Sequence, residues 1–150
     1  MPRRIYHEHE PPAFIDHVYA HPWEISIAVF TVLGGALGAL LPIFGGVYIS
    51  KSLAELPWYL VLVFCGLLVA GGIQILRGLF DDSEDLMVGW GRERMGLVLM
   101  ASGWLVYFVV VIVSNFSGIL FWGWGLTFST ASILRLLATF REENSVRRAA

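Results

Sequence analysis

Charge is absent from three long stretches of this 150-residue chain. Residues 25–50, 56–76 and 95–134 contain no Asp, Glu, Lys or Arg. A helix needs about 20 residues, at roughly 1.5 Å each, to cross some ~30 Å of hydrocarbon. The first two stretches each supply one such helix. The third would make a rod of roughly 60 Å, so it is expected to double back. Its polar break is Ser114-Asn115-Phe116-Ser117-Gly118. Four spans are predicted, at about 24–44, 57–77, 95–113 and 119–140. Strands of a closed barrel would alternate apolar and polar residues. Runs such as Leu60-Val61-Leu62-Val63-Phe64 and Val109-Val110-Val111-Ile112-Val113 do not alternate, and helix satisfies the backbone within one segment.

Composition agrees with the pattern. Hydrophobic residues make up 57% and charged residues 15%, with a mean hydropathy of +0.69. Soluble domains carry roughly 25% charge, and so short a chain has too little interior to hide this apolar excess from water. Disorder is excluded on the same ground. One cysteine, Cys65, excludes a disulfide framework, and a net charge of −2 argues against nucleic acid as a partner. The expected fold is all-α: an integral membrane bundle of four transmembrane helices with a short interfacial N-terminal helix. Its parts are a cytoplasmic leader (1–22), a transmembrane domain (23–140) and a cytoplasmic tail (141–150). The leader holds Phe14, Ile15, Val18 and Tyr19 on one helical face between Pro11-Pro12 and Pro22, a pattern suited to lying on the membrane surface.

Basic residues set the orientation. Four spans place nine of the ten on the side of the termini and the 78–94 loop, leaving Lys51 alone opposite. Both termini are therefore expected in the cytoplasm of a bacterial cell, with the chain multi-pass in its inner membrane. Trp23, Trp58, Tyr59, Trp90, Trp122 and Trp124 fall near span ends, where amphipathic rings anchor helices at the interface. Trp104 is mid-span and is expected between helices. Arg135, about one turn inside the end of the last span, is close enough to that end to snorkel.

Candidate chemistry is sparse. The four histidines, His7, His9, His17 and His21, all lie in the leader, so the spans offer no haem-ligating pair. A metal site in His7-Glu8-His9-Glu10 or His17/His21 is the lesser reading beside a solvated leader, and no cofactor is expected. The acidic run Asp81-Asp82-Ser83-Glu84-Asp85 lacks the glycine and terminal glutamate of a calcium loop. Pumps, carriers and intramembrane proteases use ionisable groups at depth, and none is placed there by these span limits. A non-enzymatic role follows as the expectation. The remaining signal is small residues four apart: Gly34 and Gly38, Gly66 and Ala70, Gly125 and Ser129. Such grooves let helices approach closely, within one chain or between copies.

The layout combines several spans nearly filling the chain, tight turns, a polar leader (Arg3-Arg4-Ile5-Tyr6-His7) and an arginine-bearing tail from Arg141 to Ala150. In this it resembles the small multi-spanning holin-like membrane proteins of phages that infect actinobacteria. The resemblance implies lateral self-association, permeabilisation of the cytoplasmic membrane with timed release of a lysin, and no catalytic residues. The alternative is an accessory or structural subunit held by a membrane protein partner, a superinfection-exclusion protein among them. An apolar pocket for a lipid or small molecule would leave no mark in the sequence. A fluorescent protein fused after Ala150 is predicted to fluoresce in bacterial cells; an export-dependent reporter active at that position would refute the orientation.

Overall fold

The computed structural model describes residues 18–19, 21–49, 51–80, 86–114 and 119–149. Four long helices pack as a bundle: α1 (Pro22–Gly45), α3 (Trp58–Leu79), α4 (Leu86–Ser114) and α5 (Ile119–Ala149). A single-turn helix, α2 (Lys51–Ala54), lies in the connection between α1 and α3. Three helical segments are long and apolar enough to cross a membrane: Pro22–Gly45, Trp58–Leu79 and Val88–Val113. α5 is longer than these, but its composition is diluted by Trp124, Thr127, Ser129, Thr130, Ser132 and Arg135.

Local chemistry fixes the ends of α1. Pro22 occupies its first turn, where a missing N–H costs nothing, and Glu24 follows at the positive end of the helix dipole. The helix stops at Gly46, whose φ of 61° is left-handed. The Gly46 N–H donates to the Pro42 carbonyl and the Val47 N–H to that of Leu41, satisfying groups the last turn would otherwise orphan.

Each long helix runs antiparallel to the next, α1 against α3, α3 against α4, and α4 against α5. Bilayer helices have no hydrophobic drive to pair, so close backbone contact must supply the attraction. Glycines supply it here. A Cβ on Gly72 would stand 2.7 Å from the Ala28 carbonyl oxygen, across the α1–α3 seam. Between α3 and α4, Gly71 and Gly96 pack backbone to backbone, and lower down Gly78 meets the Glu93 amide at 2.7 Å from the same construction. Gly125 does this for α5 against Phe108 and Trp104, at 3.0 Å. The core follows from this order. It is carried by the two central helices, through Val61, Phe64, Cys65, Leu68 and Ile75 of α3 and Leu97, Met100, Trp104 and Val111 of α4.

The fourth seam, between α1 and α5, is different. These two helices make few close backbone approaches, and side chains cross the gap. Phe30 of α1 stacks on Phe128 of α5 at 5.8 Å between ring centroids. Glu24 reaches Arg135 at 3.5 Å.

Two boundaries depart from those expected. α4 begins at Leu86, nine residues before the predicted 95, because Glu93 and Arg94 are held inside the bundle rather than in a loop. α5 continues past 140 to Ala149, so the stretch expected as a tail is helical and contributes the buried Glu143. The polar break at 115–118, the acidic run at 81–85 and nearly all of the leader, including its proposed interfacial helix apart from Val18 and Tyr19, lie outside the described residues.

The outer faces carry Leu33, Leu37, Val63, Val106 and Leu134, each well exposed. In water this belt would be an aggregation surface; against acyl chains it is matched. Introducing a side chain at a seam glycine should cost more than at an outward one. Gly71→Leu is expected to destabilise the purified protein by about 1–3 kcal/mol through backbone displacement. Gly66→Leu, with no atom within 4 Å of its Cβ position, should leave the melting temperature in detergent nearly unchanged. Equal effects would refute the seam assignment.

Candidate functional site

At the end of the bundle where α1 begins and α5 ends, charged groups from three helices meet. The Arg135 Nε–H donates to Glu93 Oε1 at 3.1 Å, and the same nitrogen lies 3.5 Å from Glu24 Oε1. Glu93 is fully buried. His21 Nδ1 stands 3.9 Å from the Glu24 carboxylate, one turn before it. A second tie lies beside the first. Arg94 pairs with Glu143, donates to the Thr139 carbonyl at 3.0 Å, and covers the Phe140 ring at 4.1 Å. A buried carboxylate is tolerable only when paired and hydrogen-bonded, and Glu93 meets that condition through Arg135.

Above this ion layer the open seam encloses two chambers, divided by Phe128. The lower one, about 150 Å³, has Glu24, Glu93, Arg135 and Ser132 on its walls, together with Ile27 and Met100. The upper one, about 290 Å³, is almost wholly apolar and aromatic: Phe30, Phe64, Trp104, Tyr107, Trp124 and Phe128 line it. Its rings are mutually packed, with Trp104 on Phe128 at 4.8 Å, Trp124 on Phe128 at 5.5 Å and Phe64 on Tyr107 at 5.7 Å. Ile49 and Leu53, from the connection that holds α2, close its far end. Leu53 is buried although it sits in a loop helix of one turn. The chambers can accept an apolar body and present a charged pair at one end. The Thr31 hydroxyl, the polar group of α1 facing the upper chamber, already donates to the Ile27 carbonyl at 2.7 Å.

The small-residue positions divide into two sets. Gly38 faces the Cys65 sulfur across the α1–α3 seam, and Gly125 meets α4. Ser129 is buried, its hydroxyl donating to the Ala101 carbonyl at 3.3 Å. Gly34 and Gly66 have open space where a Cβ would stand; Gly34 lines the upper chamber, while Gly66 and Ala70 are exposed on α3. Of the aromatic anchors, Trp23, Trp58, Tyr59 and Trp124 are exposed, but Trp90 is only 3% exposed. That position turns inward because α4 starts earlier than expected, which makes Trp90 a bundle residue. The side chain of Trp122 lies outside the described residues, as do His7, His9 and His17. Among the described residues no three metal-ligating side chains gather. Comparison of the chain with protein families, curated proteins and solved structures finds no match.

Sequence reasoning missed the ion layer. The charge pattern places Arg135 within reach of the interface and Glu93 and Arg94 in a loop. The available signal was Arg135 itself: a lone cation in an apolar helix calls for a carboxylate on a neighbouring one. Glu93→Gln removes the charge facing Arg135, and loss of one member of a buried pair costs about 3 kcal/mol or more. The melting temperature should therefore fall clearly. Glu93→Leu combined with Arg135→Met should recover much of the loss. A single variant as stable as the parent would show that the pair does not hold these helices.

Proposed function

We propose that the chain is a non-catalytic polytopic membrane protein that holds an apolar membrane molecule in the seam between α1 and α5. The observation that carries this reading is the upper chamber of about 290 Å³, bounded by six aromatic rings beside two helices that make few close backbone approaches. An apolar cavity of about 150 Å³ suffices for a benzene ring, so this one has room for a ring or a branched chain. It has no room for a partner helix, because Phe30 and the Glu24–Arg135 contact bridge the gap. In this reading all four long helices cross the bilayer. α5 lies alongside α4 from Gly125 to Glu143, and its buried Ser129, Ser132 and Thr139 face the bundle. The end rich in arginine faces the cytoplasm, as the distribution of basic residues favours. Such a protein would serve as an accessory component that presents or stores its ligand, with the ion layer anchoring the three helices around it.

A second reading has one observation in its favour. Gly66 and Ala70 remain exposed on α3, one turn apart, with open space at the Gly66 Cβ position. That face is free for a second copy, which a holin-like, membrane-permeabilising oligomer would need.

The two readings separate by variant. Gly34→Leu fills the upper chamber without entering a glycine-packed helix contact. It should abolish retention of a co-purifying apolar molecule in native mass spectrometry while the melting temperature stays near that of the parent. Gly66→Leu should leave retention intact. Collapse of membrane potential on expression, relieved by Gly66→Leu and not by Gly34→Leu, would instead support the permeabilising oligomer and overturn the ligand-holding role.

A further inference from the structure

Nothing among the described residues satisfies the Trp104 indole N–H. Its Nε1 is buried and meets no hydrogen-bond acceptor, in a residue only 8% exposed. Trp104 lines the upper chamber. It lies ten residues, or about 15 Å, before the end of α4 at Ser114, well inside the apolar segment Val88–Val113. At that depth no water is at hand to serve the N–H. Its ring neighbours are Phe30 at 6.4 Å, Phe128 at 4.8 Å and Tyr107 at 5.9 Å between centroids, and all three are chamber walls as well. The Thr31 hydroxyl of the same chamber has committed its hydrogen to the Ile27 carbonyl. Protein interiors rarely leave a buried donor unpaired. An exception in the wall of a cavity indicates what the occupant of that cavity should bring.

We infer that the upper chamber takes a membrane-dissolved quinone: a flat ring bearing a carbonyl oxygen, on an apolar tail. The inference rests on the ligand-holding reading of the α1–α5 seam and specifies the ligand. An indole N–H donates and cannot accept, so its complement is an acceptor oxygen. A plain acyl chain would fill the volume and leave the N–H unpaired in a dry site, the unfavourable outcome. The walls suit a ring. The Phe30 and Trp104 planes are within 6° of parallel, and Phe128 tilts 29° from Trp104; flat π systems stack with an offset against such faces. The volume, about 290 Å³, is roughly twice what holds benzene, so a substituted ring fits with its tail left outside. The tail has a way out. Phe30 of α1 and Trp124 of α5 line the chamber and are both well exposed, so its walls reach the outer surface of the bundle, where acyl chains lie.

The test is native mass spectrometry of the full chain, offered equal amounts of three probes. Decylubiquinone has a ring, carbonyl oxygens and a tail. Decylbenzene has the ring and tail without oxygen, and methyl dodecanoate has a carbonyl and tail without a ring. The wild-type chain should retain decylubiquinone over both others, a comparison that needs no variant. Trp104→Phe keeps a ring and removes the N–H. It should weaken decylubiquinone about two- to tenfold, the worth of one hydrogen bond, and leave decylbenzene unchanged. In an NMR spectrum of the indole N–H groups, the peak missing from Trp104→Phe should move further downfield in the wild type with decylubiquinone than with decylbenzene. Either control probe retained as well as decylubiquinone overturns the quinone assignment. So does a Trp104→Phe chain that keeps decylubiquinone in full, or loses decylubiquinone and decylbenzene alike. In those cases retention blocked by Gly34→Leu leaves the ligand-holding role standing. A wild-type chain that retains none of the three probes, or retention untouched by Gly34→Leu, overturns both.

Discussion

Arg135 holds together the part of the bundle that glycine contacts do not. It projects from α5 into the interior, with Glu93 of α4 at 3.1 Å and Glu24 of α1 at 3.5 Å. A charge in this position is costly unless opposite charges surround it, and removing one partner costs more than the pair contributes to stability. The cluster therefore acts chiefly as a constraint on arrangement. Any sliding of α1 along α5 would strand a carboxylate in a nearly dry interior. The Arg94–Glu143 pair, on the same two central and terminal helices, fixes the register of α4 against α5 independently. Together they pin one end of a gap that the backbones leave open.

The other seams work by a different physics. Gly72 against Ala28, Gly71 against Gly96, and Gly78 against the Glu93 amide bring backbones so close that an added Cβ would stand under 3 Å from its neighbour. Dispersion between backbones replaces the absent hydrophobic drive. α3 and α4 each take part in two such seams, which places them at the centre and leaves α1 and α5 on the flanks. With no glycine of α1 packed against α5 and none of α5 against α1, the last seam is bridged by large rings instead. Rings bridge a wide gap without filling it evenly, and the chambers are what remains.

Much of this was legible in the charges. The uncharged runs located α1 and α3 to within about two residues, because a helix in hydrocarbon cannot hold many unpaired charges. The same logic misplaced the start of α4. It treats every charged residue as solvated, whereas Glu93 and Arg94 are buried against Arg135, Thr139 and Glu143 from a helix more than forty residues on. Pairing across such a separation has no local signature. The small-residue motifs were visible too, but spacing alone does not distinguish Gly38, which meets Cys65, from Gly34, which faces a void. That distinction depends on which flank of α1 turns toward α3, and only the packed bundle decides it.

The open seam and the ion layer explain each other. Were α1 and α5 drawn together by glycines along their whole length, no room would remain for the side chains of Glu24, Glu93 and Arg135 to meet between them. Were the ion layer absent, nothing polar would oppose collapse of the gap onto Phe30 and Phe128, since apolar side chains gain dispersion by closing a void. A charged tie at one end and bulky rings above it set the spacing of the two flanking helices. Leu53 and Ile49 close the other end from the connection between α1 and α3. The void is thus bounded by different chemistry at each end; on the proposed ligand-holding role, that suits a ligand with one apolar body and a polar edge.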